Sequence, residues 1–177
     1  MKNCLDMVNM EKAKVIVSIP CYNDAELLES TVEKISQKML EITSNFVIVI
    51  VEDVSDSMTK VKSLQQKYDN LIYFRNSERK GRIISLFNAW RQVGGDVFMF
   101  MDADLATDLS MFDALRRLVD GIVVHHYDIV TGSRYLRESK TYRPRLWHII
   151  SVYFNLAVRF LFRTGIRDHQ CGFKAFS

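Results

Sequence analysis

At 177 residues, with 48% hydrophobic and 25% charged side chains, the chain has the size and mixture of one soluble globular domain, which argues against a disordered or low-complexity segment. The N-terminal MKNCLDMVNMEKAK has no apolar core of signal-peptide length, and no uninterrupted apolar run reaches the ~18 residues of a membrane span. The net charge of +3 is unevenly spread: between positions 134 and 174, nine Lys/Arg stand against two acids, about +7, leaving about −4 for the remainder.

In chain order, Lys14 to Pro20 (KVIVSIP) is a β-branched run ended by proline, which predicts a buried strand feeding the loop Cys21-Tyr22-Asn23. Asn23 with Glu26 predicts a helix N-cap pair, and Leu28, Thr31, Val32, Ile35, Met39 and Ile42 continue at helical spacing. Phe46 to Val51 predicts a second strand ending in Glu52-Asp53, with a helix over about 57–69. A third strand, Leu71 to Phe74, leads through the charged loop RNSERKGR to a helix carrying Ile83, Ile84, Phe87, Trp90 and Val93. Val97 to Met101 is bounded by Gly94-Gly95, is too short for a helix, and predicts a fourth strand running into Asp102-Ala103-Asp104. A helix from about Ser110 to Asp120 and a strand from Asp128 to Thr131, ending in Gly132-Ser133-Arg134, follow. Ile149 to Phe162, interrupted by Asn155 and Arg159, is expected to be a core helix, the alternative being one lying on a membrane surface.

Alternating strands and helices with continuously apolar strands predict a mostly parallel α/β sheet with helices on both faces. Right-handed crossovers then gather Tyr22, Asn23, Asp24, Glu52, Asp53, Asp102, Asp104 and Arg134 along one edge, where open sheets of this kind bind ligands. Asp102 and Asp104 offer hard oxygen ligands to Mg²⁺ or Mn²⁺; alternatively Asp104 or Asp108 caps the next helix. The basic stretch beyond Ser133 suits a polyanionic substrate or an anionic lipid surface. Nucleic acid is disfavoured, because the acidic strand edge would repel a phosphate backbone. Cys4, Cys21 and Cys171 lack paired metal-ligand spacing and read as reduced thiols of an intracellular protein.

Five segments in order carry a resemblance: Ile19-Pro20-Cys21-Tyr22-Asn23-Asp24, Val51-Glu52-Asp53-Val54-Ser55, Asp102-Ala103-Asp104, Gly132-Ser133-Arg134, and Asp168-His169-Gln170-Cys171-Gly172-Phe173-Lys174. The chain resembles family 2 glycosyltransferases of the GT-A fold, in particular the dolichyl-phosphate mannose and glucose synthases. The resemblance implies one catalytic domain over 1–177, with a nucleotide-sugar-binding half at 14–133 and a basic acceptor-side segment at 134–177. It implies Pro20, Tyr22, Asp24, Val51 and Asp53 around base and ribose, with Asp102, Ala103 and Asp104 at the diphosphate and its cation. It also implies Arg134 on a phosphate, and Arg137, Lys140, Arg143 and Arg145 in a mobile acceptor loop. Asp168 is the best-placed general base, with a structural turn as its other role.

The implied reaction is inverting transfer of a hexose from GDP-mannose or UDP-glucose to a polyprenyl phosphate at the cytoplasmic face of a membrane. A phosphate acceptor, with a second pKa of roughly 6, is largely dianionic at neutral pH and needs cations more than a base. Departures from the family pattern are Val54 where Gly is usual, Asn76-Ser77-Glu78-Arg79-Lys80-Gly81 for a glycine-rich loop, and Ala106 where Gln is frequent. Relatives continue beyond the last motif, so a truncated chain is expected. The alternatives are transfer to a sugar hydroxyl, a non-catalytic nucleotide-sugar binder, and a phosphatase with Asp102 as nucleophile; nothing in the sequence bears on oligomeric state.

Overall fold

The computed structural model describes residues 4–54, 57–105, 113–136 and 144–177. Expectations that rest on Ser55, Ala106, Asp108, Arg137, Lys140 and Arg143 lie outside these residues, as does the side chain of Arg145. The elements are α1 (Cys4–Lys12), β1 (Val15–Cys21), α2 (Leu28–Leu40), β2 (Phe46–Asp53), α3 (Met58–Gln65), β3 (Leu71–Asn76), α4 (Arg82–Val93), β4 (Val97–Phe100), α5 (Ala114–Val123), β5 (Ile129–Thr131), α6 (Arg145–Phe162) and β6 (Lys174–Phe176). The chain divides into two compact units, Met1–Val130 with Phe173–Ser177, and Thr131–Gly172.

The six strands form one sheet in the order β3-β2-β1-β4-β6-β5. β1 runs parallel to both β2 and β4, and β2 parallel to β3, as continuous Val/Ile runs require when both faces are buried. Side chains alternate between the faces. Ile16, Val49, Val51 and Phe100 pack on Leu86, Ala89 and Trp90 of α4. Trp90 Nε1 donates to the buried Ser18 Oγ at 2.7 Å, so the hydroxyl in this apolar layer is satisfied. The apolar stripe of α2, Leu28, Val32, Ile35 and Met39, is fully buried, as its spacing predicts.

Several local expectations are corrected. Pro20 does not end β1: it pairs with Val51, and Cys21 pairs with Glu52, so the strand runs one residue further. A missing N–H is tolerated this close to a strand's end. Asn23 does not cap α2, which starts at Leu28 after a turn in which the Leu27 N–H donates to the Asp24 carbonyl. On α4 the buried residues are Ser85, Leu86, Ala89 and Trp90, while Ile83, Ile84 and Phe87 are exposed. β6 was not anticipated; it pairs antiparallel with β4, its short KAF run being too brief to signal a strand. α6 is not a core helix: nearly its whole apolar surface is exposed.

Gly94 and Gly95 earn their places differently. Gly94 adopts φ +61° and donates to the Trp90 carbonyl to end α4. Gly95 has no room for a side chain, because a Cβ there would lie 2.6 Å from Ile16 Cγ1. Together they turn the chain directly from α4 into β4, which delivers Asp102 and Asp104 beyond a central strand.

Candidate active site

In the first unit, parallel β1, β2 and β4 bring their C-terminal ends to one edge, and with them Pro20, Tyr22, Asp24, Val51, Asp53, Asp102, Ala103 and Asp104. Val51 and Ala103 are buried, so their contribution is to the floor of the edge, whereas Tyr22 and Asp104 are exposed. The loop after β4 is anchored from below: Thr31 Oγ1 of α2 donates to the Ala103 carbonyl at 2.6 Å, and the Leu105 N–H closes a turn on the Asp102 carbonyl at 3.1 Å. Asn23, Val54 and Leu105, all at this edge, have φ of +62°, +55° and +46°. Such values are costly for non-glycine residues, and most so for β-branched Val54.

The two acids ending β2 play different parts. Glu52 is fully buried; Oε1 accepts the Ser57 N–H at 2.7 Å, Oε2 accepts the Tyr73 hydroxyl, and Arg75 Nε lies 3.6 Å away. Asp53 accepts the Lys80 and Gly81 N–H groups at 2.9 and 2.8 Å and Asn76 Nδ2 at 3.1 Å. Burial raises the Asp53 pKa, but these donors and the nearby Arg79 charge outweigh it and hold the carboxyl below its ordinary value. The loop before α4 is thus folded onto β2, and Arg79 lies over the Tyr22 ring at 4.5 Å from its centroid.

Asp102 combines a buried oxygen with an ion contact. Its Oδ1 is buried and accepts no hydrogen bond, although Arg82 Nη1 stands 2.7 Å from it. Burial pushes its pKa up; the charges of Asp104 and Asp24 push the same way, and Arg82 and Lys174 oppose them. A half-buried, crowded carboxylate of this kind is favoured by a hard dication nearby. Among the described residues no group of three His, Cys, Asp or Glu side chains is arranged to hold a metal ion. Asp102 and Asp104 could therefore supply only part of a divalent cation's shell, the remainder falling to ligand oxygens and water.

The second unit holds Arg134 and Asp168 as one pair. Arg134 Nε and Nη2 donate to Asp168 Oδ2 and Oδ1 at 2.6 and 2.7 Å, and its backbone N–H donates to Oδ2 at 3.1 Å. The Gln170 N–H adds a fourth bond to Oδ1 at 3.1 Å, filling the roughly four acceptor sites of a carboxylate. Burial alone would raise the Asp168 pKa; the Arg134 contacts overcome it and lower it. Around the pair, Asn155 Oδ1 accepts the His169 N–H at 2.7 Å, and Ser151 Oγ donates to Gln170 Oε1 at 3.1 Å. Among the described side chains of α6, Ser151 and Asn155 are the buried ones, one turn apart.

Residues 16–177 match the family described as glycosyl transferase family 2. The chain belongs to that family. It is 35% identical over 169 residues to glycosyltransferase AglD of Haloferax volcanii, covering 93% of this chain and 26% of that protein. Dolichyl-phosphate β-glucosyltransferase ALG5D of Trichomonas vaginalis is 29% identical over 94% of this chain and 55% of its own length. Dolichol-phosphate mannosyltransferase of Pyrococcus furiosus is 33% identical over 72% of this chain and 35% of its own. The chain thus spans between about a quarter and just over half of these relatives. Among solved structures, a mannosyltransferase from Pyrobaculum calidifontis in complex with GDP-Man and Mn²⁺ superposes with a TM-score of 0.63 at 20% identity, covering 95% of this chain and 45% of that one. Glucosyl-3-phosphoglycerate synthase from Mycobacterium tuberculosis, with Mn²⁺, UDP and product, gives 0.67 at 14% identity, covering 97% and 59%. These likenesses establish the mostly parallel GT-A α/β fold expected for a family 2 glycosyltransferase.

Three features of this family 2 chain escaped the sequence reading. Arg82 carries a signal: a cation in the first turn of a helix opposes the dipole unless an anion stands nearby. The closure of Asp53 on the loop at 80–81 and the pairing of Arg134 with Asp168 carry none, since each joins residues about 30 positions apart.

Proposed function

We propose that this family 2 chain transfers a hexose, with inversion, from a nucleotide-diphosphate sugar such as GDP-mannose or UDP-glucose to a polyprenyl phosphate. The observation that carries the reading is the carboxylate pair beyond β4, with a buried Asp102 oxygen that accepts no hydrogen bond. Asp102 and Asp104 would hold Mg²⁺ or Mn²⁺, which when bound supplies charge neutralisation on the donor's diphosphate. Tyr22 and Asp24 offer a ring and a carboxylate to the nucleoside, and Asp53 serves it through the loop it holds in place.

The acceptor's dianionic phosphate is the nucleophile: one of its oxygens bonds to the anomeric carbon as the bond from that carbon to the β-phosphate oxygen breaks. The nucleoside diphosphate leaves with the electron pair, and no proton has to be removed from the acceptor. Arg134 is suited to grip that phosphate. Asp168 takes its Nε–Nη2 edge, which leaves Nη1 to donate in a fixed direction. With its acceptor sites filled and its pKa lowered, Asp168 is a positioning residue for Arg134 rather than a base.

Among the described residues no helix is long and apolar enough to cross a membrane. α6 instead supports a peripheral reading. Its inner face carries the polar Ser151 and Asn155, and its outer face exposes Trp147, Tyr153, Leu156, Phe160, Leu161 and Phe162 beside exposed Arg159 and Arg163. A helix with this inverted amphipathicity belongs against a lipid headgroup–acyl boundary, where a polyprenyl phosphate is presented.

The test supplies radiolabelled GDP-mannose or UDP-glucose, polyprenyl phosphate and Mn²⁺ or Mg²⁺ to the protein and to Asp104→Ala. Labelled lipid is expected from one donor and should fall about 10²-fold or more in the variant. Undiminished transfer by Asp104→Ala would remove the metal role. Metal-dependent nucleotide binding with no transfer to any acceptor would replace the enzyme by a binder.

A further inference from the structure

Two arginine–aspartate pairs among the described residues are built differently. Arg134–Asp168 is bidentate and aligned, its side chains 18% and 0% exposed. Arg82–Asp102 is a single 2.7 Å ion contact between side chains 52% and 35% exposed, outside the geometry of a hydrogen bond. Arg82 is also misplaced for its own helix. It is the first residue of α4, directly after Gly81 at φ +81°, where the dipole favours an anion. The contact is thus electrostatic, solvent-accessible from the arginine side, and made by a long side chain that can turn away without disturbing the core.

We propose that Arg82 is an exchangeable counter-ion: it covers the oxygen of Asp102 that a divalent cation takes, yields it when the cation arrives, and then meets the accompanying diphosphate. The inference rests on reading Asp102 and Asp104 as the cation site. Its logic is that of like and unlike charge. Asp102 stands close enough to Asp24 and Asp104 to feel both, so without a cation the edge needs a resident positive group. A guanidinium supplies it, and for the same reason competes with a metal ion that comes alone. When the metal comes with a diphosphate, the displaced guanidinium gains new phosphate partners at the N-terminus of α4, where anions are favoured. Arg82 therefore acts against the cation by itself and in favour of the cation–diphosphate pair, which ties metal binding to nucleotide binding.

Binding of Mn²⁺ alone is read from the electron paramagnetic resonance signal of free Mn²⁺, and binding of GDP or UDP at saturating Mn²⁺ by calorimetry, for the unaltered protein, Arg82→Met, Arg82→Lys and Asp104→Ala. Arg82→Met should bind Mn²⁺ alone roughly two- to fivefold more tightly, the range expected on removing a partly exposed ion pair. It should bind the nucleoside diphosphate severalfold more weakly, and Arg82→Lys should resemble the unaltered protein in both. Arg82→Met binding Mn²⁺ alone no more tightly, while Asp104→Ala loses it, would overturn the counter-ion role and leave the cation site standing. Asp104→Ala binding Mn²⁺ as well as the unaltered protein would overturn both.

Discussion

The two units solve opposite problems. In the first, apolar side chains from both faces of the sheet fill the interior, and Asp24, Asp102 and Asp104 crowd together at the strand ends. In the second, the buried groups include Ser151, Asn155 and Asp168, and the apolar side chains of α6 point outward, Phe160 to the extent of 84%. The first is an apolar core whose crowded acids lie at the end where open parallel sheets bind ligands. The second turns apolar side chains outward and keeps its charged pair buried and bidentate, as a pair removed from water must be. The contrast is one of electrostatics: the first unit gathers its carboxylates at a partly exposed edge with Arg82 against Asp102, and the second buries its carboxylate under Arg134.

Breaking the second unit's pair should have the largest effect on stability. Asp168→Ala leaves the Arg134 guanidinium largely buried without its partner, and a loss of about 3 kcal/mol is expected in urea denaturation. The pH dependence follows from the lowered pKa of Asp168. Its contribution is complete above the ordinary unfolded carboxylate value of about 4 and is lost as pH falls through its lower folded value. The unaltered protein should therefore lose this stability only below about pH 4, and Asp168→Asn should lack that component of the acid transition. A stability curve of Asp168→Asn parallel to that of the unaltered protein below pH 4 would contradict it.

A second effect separates the surfaces. Replacing exposed Trp147 and Phe160 by Ser should lower binding to anionic lipid vesicles by roughly tenfold each, on the scale of 1.5–3 kcal/mol for burying a large apolar side chain. The denaturation midpoint should hardly move, since neither side chain is in a core. A collapse of folding with unchanged vesicle binding would place them inside rather than out.

The smallest effects belong to the first unit's edge. The raised pKa of Asp102 means that its ionised form opposes folding at neutral pH, so Asp102→Asn should slightly stabilise the fold at neutral pH while removing a proposed metal ligand. Val54→Gly relieves a β-branched residue at φ +55° and should also stabilise by about 0.5 kcal/mol, since part of the relief is offset by the freedom glycine gains in the unfolded chain. Both are read as shifts of the thermal midpoint.

Much of the first unit is legible without coordinates. KVIVSIP, FVIVIV and VFMFM are runs too apolar and too short to be anything but buried strands, and the acids after them fall where parallel strands end. The misreadings have local causes. Pro20 looks like a terminator, yet one absent N–H near a strand end costs little. Asn23 looks like a cap, yet its left-handed backbone makes it part of a turn before the helix. The second unit is harder, because its logic depends on what surrounds it. The run at 149–162 reads as core on the assumption that water lies outside, and only the burial of Ser151 and Asn155 reveals which face looks inward. Arg134 and Asp168 can each be picked out by resemblance, but that they bind each other is a property of three-dimensional closure.

The central claim is that the β4 carboxylates receive a cation whose shell is completed by the donor's diphosphate. It is tested most directly by calorimetric titration of Mn²⁺ into the protein with and without GDP or UDP. Two carboxylates, one of them already facing Arg82, predict weak binding of the metal alone and binding at least tenfold tighter with the nucleotide. Equal affinity in the two titrations would contradict the account.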